Sequence, residues 1–141
     1  MSYTIKEVSI MLGIPASTLR YYDRKGFLPF VERDESGYRS FSKENILTLR
    51  LIECLKSTGM SLEDIRTFFE WVMQGEDTMQ QRYEMFLKQR TAVEKQIKHL
   101  QKTLEIINYK CMLYDIAIKN GTADIYKYAP EGENPLDIEL D

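Results

Sequence analysis

Thr4-Ile5-Lys6-Glu7-Val8-Ser9-Ile10-Met11-Leu12-Gly13-Ile14-Pro15-Ala16-Ser17-Thr18-Leu19-Arg20-Tyr21-Tyr22-Asp23-Arg24-Lys25-Gly26 is the stretch that decides the fold. Thr4 and Glu7 form a capping box, in which the threonine oxygen accepts from the amide at Glu7 and the glutamate reaches back. Ile5, Val8, Met11 and Leu12 recur at helical spacing, and Gly13 ends the short helix. The fixed φ of Pro15 suits the first turn of a second helix, which stops at Gly26. Two short helices joined by a tight glycine-containing turn make a helix-turn-helix. On the second helix, Ala16, Leu19 and Tyr22 share an inward face. Ser17, Arg20, Tyr21 and Arg24 follow i, i+3, i+4, i+7 on the other. Guanidinium forks there suit phosphate oxygens or a guanine edge in the major groove, and hydroxyls suit phosphates. The bland alternative is an ordinary solvated face.

Downstream, Phe27–Arg33 is extended in character. Asp34-Glu35-Ser36-Gly37 turns the chain, with glycine where positive φ costs little, and Tyr38-Arg39-Ser40-Phe41 returns. A short hairpin, or wing, is expected, carrying Arg39 and pinned to the body by Tyr38 or Phe41. Ser42 caps a third helix to about Thr58, with Leu47, Leu51, Cys54 and Leu55 near one stripe. Ser61 caps a fourth, Leu62 to Met73, with Ile65, Phe68, Phe69 and Val72 apolar. Gln74-Gly75-Glu76 breaks it.

From about Asp77 no Gly or Pro occurs until Gly121. Tyr83, Phe86, Arg90, Val93, Ile97, Leu100, Leu104, Ile107, Cys111, Tyr114 and Ile118 alternate spacings of three and four, an a/d heptad stripe interrupted by Arg90. About forty residues at ~1.5 Å each give a rod of roughly 60 Å. A domain of some seventy residues cannot cover it, so a second copy is the expected partner, making a homodimer. A helix folded onto its own domain is the alternative. The expected class is mainly α: a winged helix-turn-helix domain over 1–74, a long dimerising coiled-coil helix over 77–120 and an acidic tail over 121–141. The tail reads as loose, although Tyr126, Tyr128, Leu136, Ile138 and Leu140 could dock part of it. About twenty residues are too few for a separate sensor domain.

A net charge of −3 over 141 residues looks unfavourable for nucleic acid. The charge is unevenly spread. Residues 1–60 hold nine Lys/Arg against seven Asp/Glu, residues 61–120 nine against nine, and residues 121–141 one against six. The acidity belongs to the tail. The surplus on 1–60 is mild, so placement on one face has to carry the argument. Two cysteines, Cys54 and Cys111, make neither a disulfide framework nor a zinc site. Without an apolar run of spanning length or a signal-peptide layout, a cytoplasmic protein with no membrane partner is expected. Carboxylate dyad, nucleophile–base pair and phosphate loop are all missing, so an enzyme finds no support. His99 is a lone histidine expected on a solvated face.

The residues also resemble the MerR family of bacterial regulators. The likeness is carried by Thr4-Ile5-Lys6-Glu7-Val8, by Thr18-Leu19-Arg20-Tyr21-Tyr22-Asp23-Arg24 with Gly26-Phe27-Leu28, and by Gly37-Tyr38-Arg39-Ser40-Phe41, at matching separations. It covers about 120 residues, and closely only in the N-terminal half. The resemblance implies a dimer joined by an antiparallel coiled coil and bound to a palindromic operator inside an overlong promoter spacer. Effector binding then kinks and untwists the DNA so that RNA polymerase, engaged only through that DNA, meets both boxes in register. Such deformation costs roughly 1–10 kcal/mol, offset by protein–DNA contacts. Carried over by position, Arg20, Tyr21 and Arg24 sit at the groove or its phosphates, Ser17 and Thr18 near the helix start, Tyr38 and Arg39 on the wing, and Lys56 and Thr58 at flanking phosphates.

Metal-sensing relatives place cysteines near the start of the long helix and after its end. Here Asp77-Thr78-Met79-Gln80 and the segment from Gly121 have none, so no metal and no cofactor are expected. The stretches Leu28–Gly37 and Ile52–Ser61 resemble compact members that respond to aldehydes or thiol-reactive electrophiles. There a lone cysteine on the third helix is the sensor, the place Cys54 takes. Such chemistry needs an accessible thiolate; Arg50 and Lys56 favour one and Glu53 does not. The competing reading is a small buried hydrophobe. Cys111, on the heptad stripe, reads as packing. The competing reading of the whole chain is a coiled-coil adaptor whose winged domain binds protein.

Overall fold

Each short helix begins where the sequence supplies a cap. In the structure, a computed structural model that describes residues 1–137, Thr4 and Glu7 close the capping box of α1 (Ile5–Leu12) reciprocally. Gly13 ends α1 at φ +66°, a conformation that costs glycine little. Pro15 precedes α2 (Ala16–Arg24). A second capping box, between Ser42 and Asn45, opens α3 (Lys43–Ser57), and Ser61 caps α4 (Leu62–Gln74). Gly75 and a single 3-10 turn, Glu76–Thr78, lead into α5 (Met79–Lys119), a helix of 41 residues. Ile138 and Leu140 lie outside the described residues.

Three short strands lie between the helices: β1 (Ser2–Tyr3), β2 (Glu32–Arg33) and β3 (Arg39–Ser42). They form one antiparallel sheet in the order β1-β3-β2, with Glu32 opposite Ser40 and Arg33 opposite Arg39. The hairpin is the expected wing, but its first strand is shorter than the extended reading of 27–33. Phe27 and Leu28 turn inward and are buried instead. The strand β1 was not foreseen, because two residues carry no periodicity. Phe41 is the wing's anchor, fully buried, whereas Tyr38 is 73% exposed.

The chain divides into two compact units, Met1–Arg90 and Thr91–Asp141. The first is built on a core of Val8, Leu19, Tyr22, Phe41, Leu49, Ile52 and Ile65, each essentially without solvent contact. Each such side chain contributes about 1.5–3 kcal/mol by leaving water. The start of α5 belongs to this unit: Phe86 meets Phe68 of α4 edge-on, ring centroids 5.3 Å apart. One expectation for α3 fails. Its buried face is Ile46, Leu49, Ile52 and Leu55, while Leu47 and Cys54 are exposed. The buried stripe lies about one residue out of phase with the expected one, because α3 carries apolar residues on more than one face.

In the second unit, Tyr109, Leu113 and Ala117 are buried at i, i+4, i+8 on α5. The first described residues after the helix turn back on it. Gly121 and Thr122 donate back to Ile118 O and Ala117 O, and Lys110 Nζ donates to Tyr126 Oη at 2.6 Å. A different face of the same helix carries Ile97, Leu100, Leu104, Ile107, Tyr114 and Ile118, each at least half exposed. His99 is exposed as expected.

Candidate nucleic-acid interface

The α2 helix is nine residues long and divides cleanly into two faces. Leu19 and Tyr22 enter the core. Ser17, Arg20, Tyr21 and Arg24 are exposed, Ala16 and Thr18 half-buried. Burial of the first set fixes the orientation of the second, since residues three and four apart share a face. Tyr21 keeps its ring beside Phe27, centroids 6.5 Å apart, and still presents its phenol.

The wing is held by its own turn. Asp34 accepts at Oδ1 from the amides of Ser36 (2.9 Å) and Tyr38 (3.0 Å), an Asx-type turn that sets the tip. Arg33 Nη1 donates to Gly37 O at 2.8 Å. A cleft of about 490 Å³ runs between the wing, the first turn of α1 and α2, with Lys6, Arg20, Arg33, Asp34, Tyr38 and Arg39 on its walls. Four cationic residues against one carboxylate suit a polyanion. Lys6 and Arg33 were absent from the sequence-based set. Their separation along the chain hid them, because only the β1-β3-β2 sheet brings α1's first turn beside the wing.

Three expected contacts are tied into the fold. Arg39 Nε donates to Asp23 Oδ2 of α2 at 2.6 Å, with side chains only 15% and 22% exposed. Lys56 Nζ donates to Tyr22 Oη at 2.5 Å and stands 3.6 Å from Glu53 Oε1, and Tyr22 Oη donates to Glu53 Oε1 at 2.8 Å. Burial is the main cause raising the Tyr22 phenol above its ordinary value. The hydrogen bond to Tyr22 is the main cause raising Lys56. Thr58 follows α3, its hydroxyl donating to Leu55 O at 2.6 Å and accepting from Gln89 Nε2. Cys54 is exposed on α3 and is not the small core residue of the competing reading. Among the described residues, no cluster of His, Cys, Asp and Glu could hold a metal ion, and no helix is long and apolar enough to cross a membrane.

Comparison with known proteins agrees with this geometry. A family model for MerR HTH family regulatory proteins matches residues 3–70, and one for MerR DNA binding matches residues 46–108. An uncharacterized HTH-type transcriptional regulator of Haemophilus influenzae is 43% identical over 122 residues, spanning 86% of this chain and 90% of the relative. The HTH-type transcriptional regulator AdhR of Bacillus subtilis is 33% identical over 86 residues, 61% of each chain. Among solved structures, HiNmlR, a MerR family regulator lacking the sensor domain and bound to promoter DNA, superposes with a TM-score of 0.82 at 42% identity, covering 86% of this chain and 97% of that one. A MerR family regulator from Listeria monocytogenes gives 0.78 at 32% identity, covering 85% and 91%. These relatives are transcriptional regulators rather than enzymes, and they lend the adaptor reading no support.

Proposed function

The chain belongs to the MerR family of helix-turn-helix regulators and binds DNA sequence-specifically, and on that premise we propose how it does so: as a homodimer that grips a palindromic promoter site and distorts it in response to an effector. The observation that carries this reading is the α2 face, where two guanidinium groups, a hydroxyl and a phenol stand exposed on a helix whose other side is locked in the core. Ser17, Thr18, Arg20, Tyr21 and Arg24 read or grip the groove. Tyr38 on the wing, with Lys6 and Arg33, meets flanking phosphates. RNA polymerase is engaged through the deformed DNA, and with promoter DNA as partner the compartment is the cytoplasm.

Dimerisation is supported by the exposed stripe of α5, five turns or more of side chains that an isolated helix would leave in water. The working division is 1–74 for DNA, 77–120 for the partner copy and 121–141 as an acidic tail. The effector is an aldehyde or related electrophile that adds to the Cys54 thiolate. Exposure of Cys54, four residues from Arg50 on the same helix, favours this reading. Cys54→Ala is expected to abolish induction by an aldehyde and to leave operator binding intact; full induction in that variant sinks the sensor role.

Footprinting tests the main reading. Protection of an inverted repeat lying between two promoter boxes is expected, with Arg20→Ala/Arg24→Ala losing it. Equal, salt-sensitive affinity for random duplex and for the protected promoter refutes the reading.

A further inference from the structure

Arg39 stands on the wall of a cationic cleft, yet its guanidinium is bound to Asp23, a residue of α2 itself. An exposed surface pair of this kind contributes little. This one is largely shielded, at 15% and 22% side-chain exposure, and its 2.6 Å hydrogen bond is charge-assisted. It joins β3 of the wing to the C-terminal half of α2, sixteen residues apart in sequence. Asp34, the carboxylate on the cleft wall, is occupied by two backbone amides of the turn. The Asp23 carboxylate is thus the acceptor that holds wing and helix at a fixed separation while cancelling one cation of the cleft.

We propose that Asp23 is a specificity-determining positioning residue: it keeps Arg39 from the DNA backbone and sets the spacing between wing and recognition helix. The remaining cations, Lys6, Arg20 and Arg33, then meet phosphates only where the duplex matches that spacing. The logic is one of differences. A guanidinium free to reach any phosphate strengthens binding to every sequence alike, so a cation withheld from phosphates lowers non-specific affinity while costing the specific complex less. Specificity grows by weakening the wrong complex.

The inference rests on α2 as the recognition helix, and salt dependence separates the two. Wild type, Asp23→Asn, Arg39→Gln and the double variant are compared by anisotropy on two duplexes. One carries the repeat that wild-type protein selects from a random pool; the other is its scrambled version. Releasing one guanidinium to the backbone steepens the salt slope by about 0.9. Asp23→Asn is expected to show that steepening, with tighter binding to scrambled duplex and a selected-to-scrambled ratio reduced several-fold. Arg39→Gln leaves the Asp23 carboxylate unneutralised beside the cleft and weakens both complexes. The double variant, with both charges gone, returns to the wild-type slope.

A double variant shallower than wild type by about 0.9 overturns the proposal, because Arg39 would then be an ordinary phosphate contact. Unchanged slopes in all three variants, with only melting temperature lowered, also overturn it, leaving the pair a scaffold. If Asp23→Asn does not fold, Arg39→Gln still decides: binding to both duplexes as tight as wild type's overturns the proposal. Arg20→Ala is the control: an unaltered slope there refutes α2 as the recognition helix rather than the role of Asp23.

Discussion

The first unit and the second use apolar side chains in opposite ways. In Met1–Arg90 the large aliphatics and aromatics converge: Leu19, Tyr22, Phe41, Leu49 and Ile52 leave water entirely. Among the described residues from Thr91 on, only Tyr109, Leu113 and Ala117 of the apolar side chains are buried, while Ile97, Leu100, Leu104, Ile107, Tyr114 and Ile118 keep half or more of their surface in solvent. Sequence spacing is equally regular in both. The difference is that four helices and a sheet enclose the first core, whereas a helix with an eighteen-residue described segment after it can cover one face only. In the proposed dimer, this uncovered heptad face is the seam that the helix of a second copy covers.

Matched truncations break or sharpen that contrast. Leu49→Ala is expected to have the largest effect, a loss of about 2–5 kcal/mol in urea unfolding, because a fully buried site collapses poorly around the void. That loss is expected to be independent of protein concentration at fixed dimer occupancy. Leu104→Ala removes the same atoms from an exposed position. Its expected effect is on self-association, roughly 1.5–3 kcal/mol per copy read by sedimentation as a dissociation constant raised at least tenfold. A Leu104→Ala chain that sediments like wild type over a hundredfold dilution would show that the stripe is not the dimer seam.

Much of this was legible beforehand, and for local reasons. Caps are written within four residues, so Thr4, Ser42 and Ser61 marked their helices, and Gly13 and Gly75 marked ends. The α2 faces followed from spacing alone. What sequence hid is what depends on distant partners. Arg39 looked like any wing arginine until Asp23 appeared beside it, and Lys56 like a phosphate contact until Tyr22 and Glu53 took hold of it. On α3 the phase of the stripe slipped because Leu47 and Leu51 are as apolar as Ile46 and Leu49, and only packing separates them. Lys6 and Arg33 needed the sheet to meet.

A smaller effect is expected at the Tyr22–Glu53–Lys56 cluster, which links α2 to α3. Tyr22→Phe keeps the ring in the core and removes only the hydroxyl. The loss is about 1 kcal/mol, the net worth of a typical hydrogen bond. Lys56 and Glu53 remain 3.6 Å apart and partly satisfy each other. A loss above about 3 kcal/mol would mean that a charge had been left buried and unpaired, contrary to the exposure of both side chains at 36% and 42%.

The smallest effect is in alkaline solution, and its sign follows from the same cluster. Burial holds the Tyr22 phenol above its ordinary value of 10.0, and the hydrogen bond to Tyr22 holds Lys56 above 10.5. Both groups therefore bind their protons more tightly in the folded chain. The stabilisation is fully present below the unfolded values and is lost as pH rises through the folded ones. Melting temperature is expected to be flat across neutral pH with respect to these groups and to fall above about pH 10. Other tyrosines and lysines titrate in the same range, so the informative quantity is the difference between wild type and Tyr22→Phe. That variant lacks the buried phenol and the oxygen that Lys56 donates to, and its alkaline decline is expected to be shallower. Parallel declines in the two proteins would show that the cluster holds its protons no more tightly folded than unfolded.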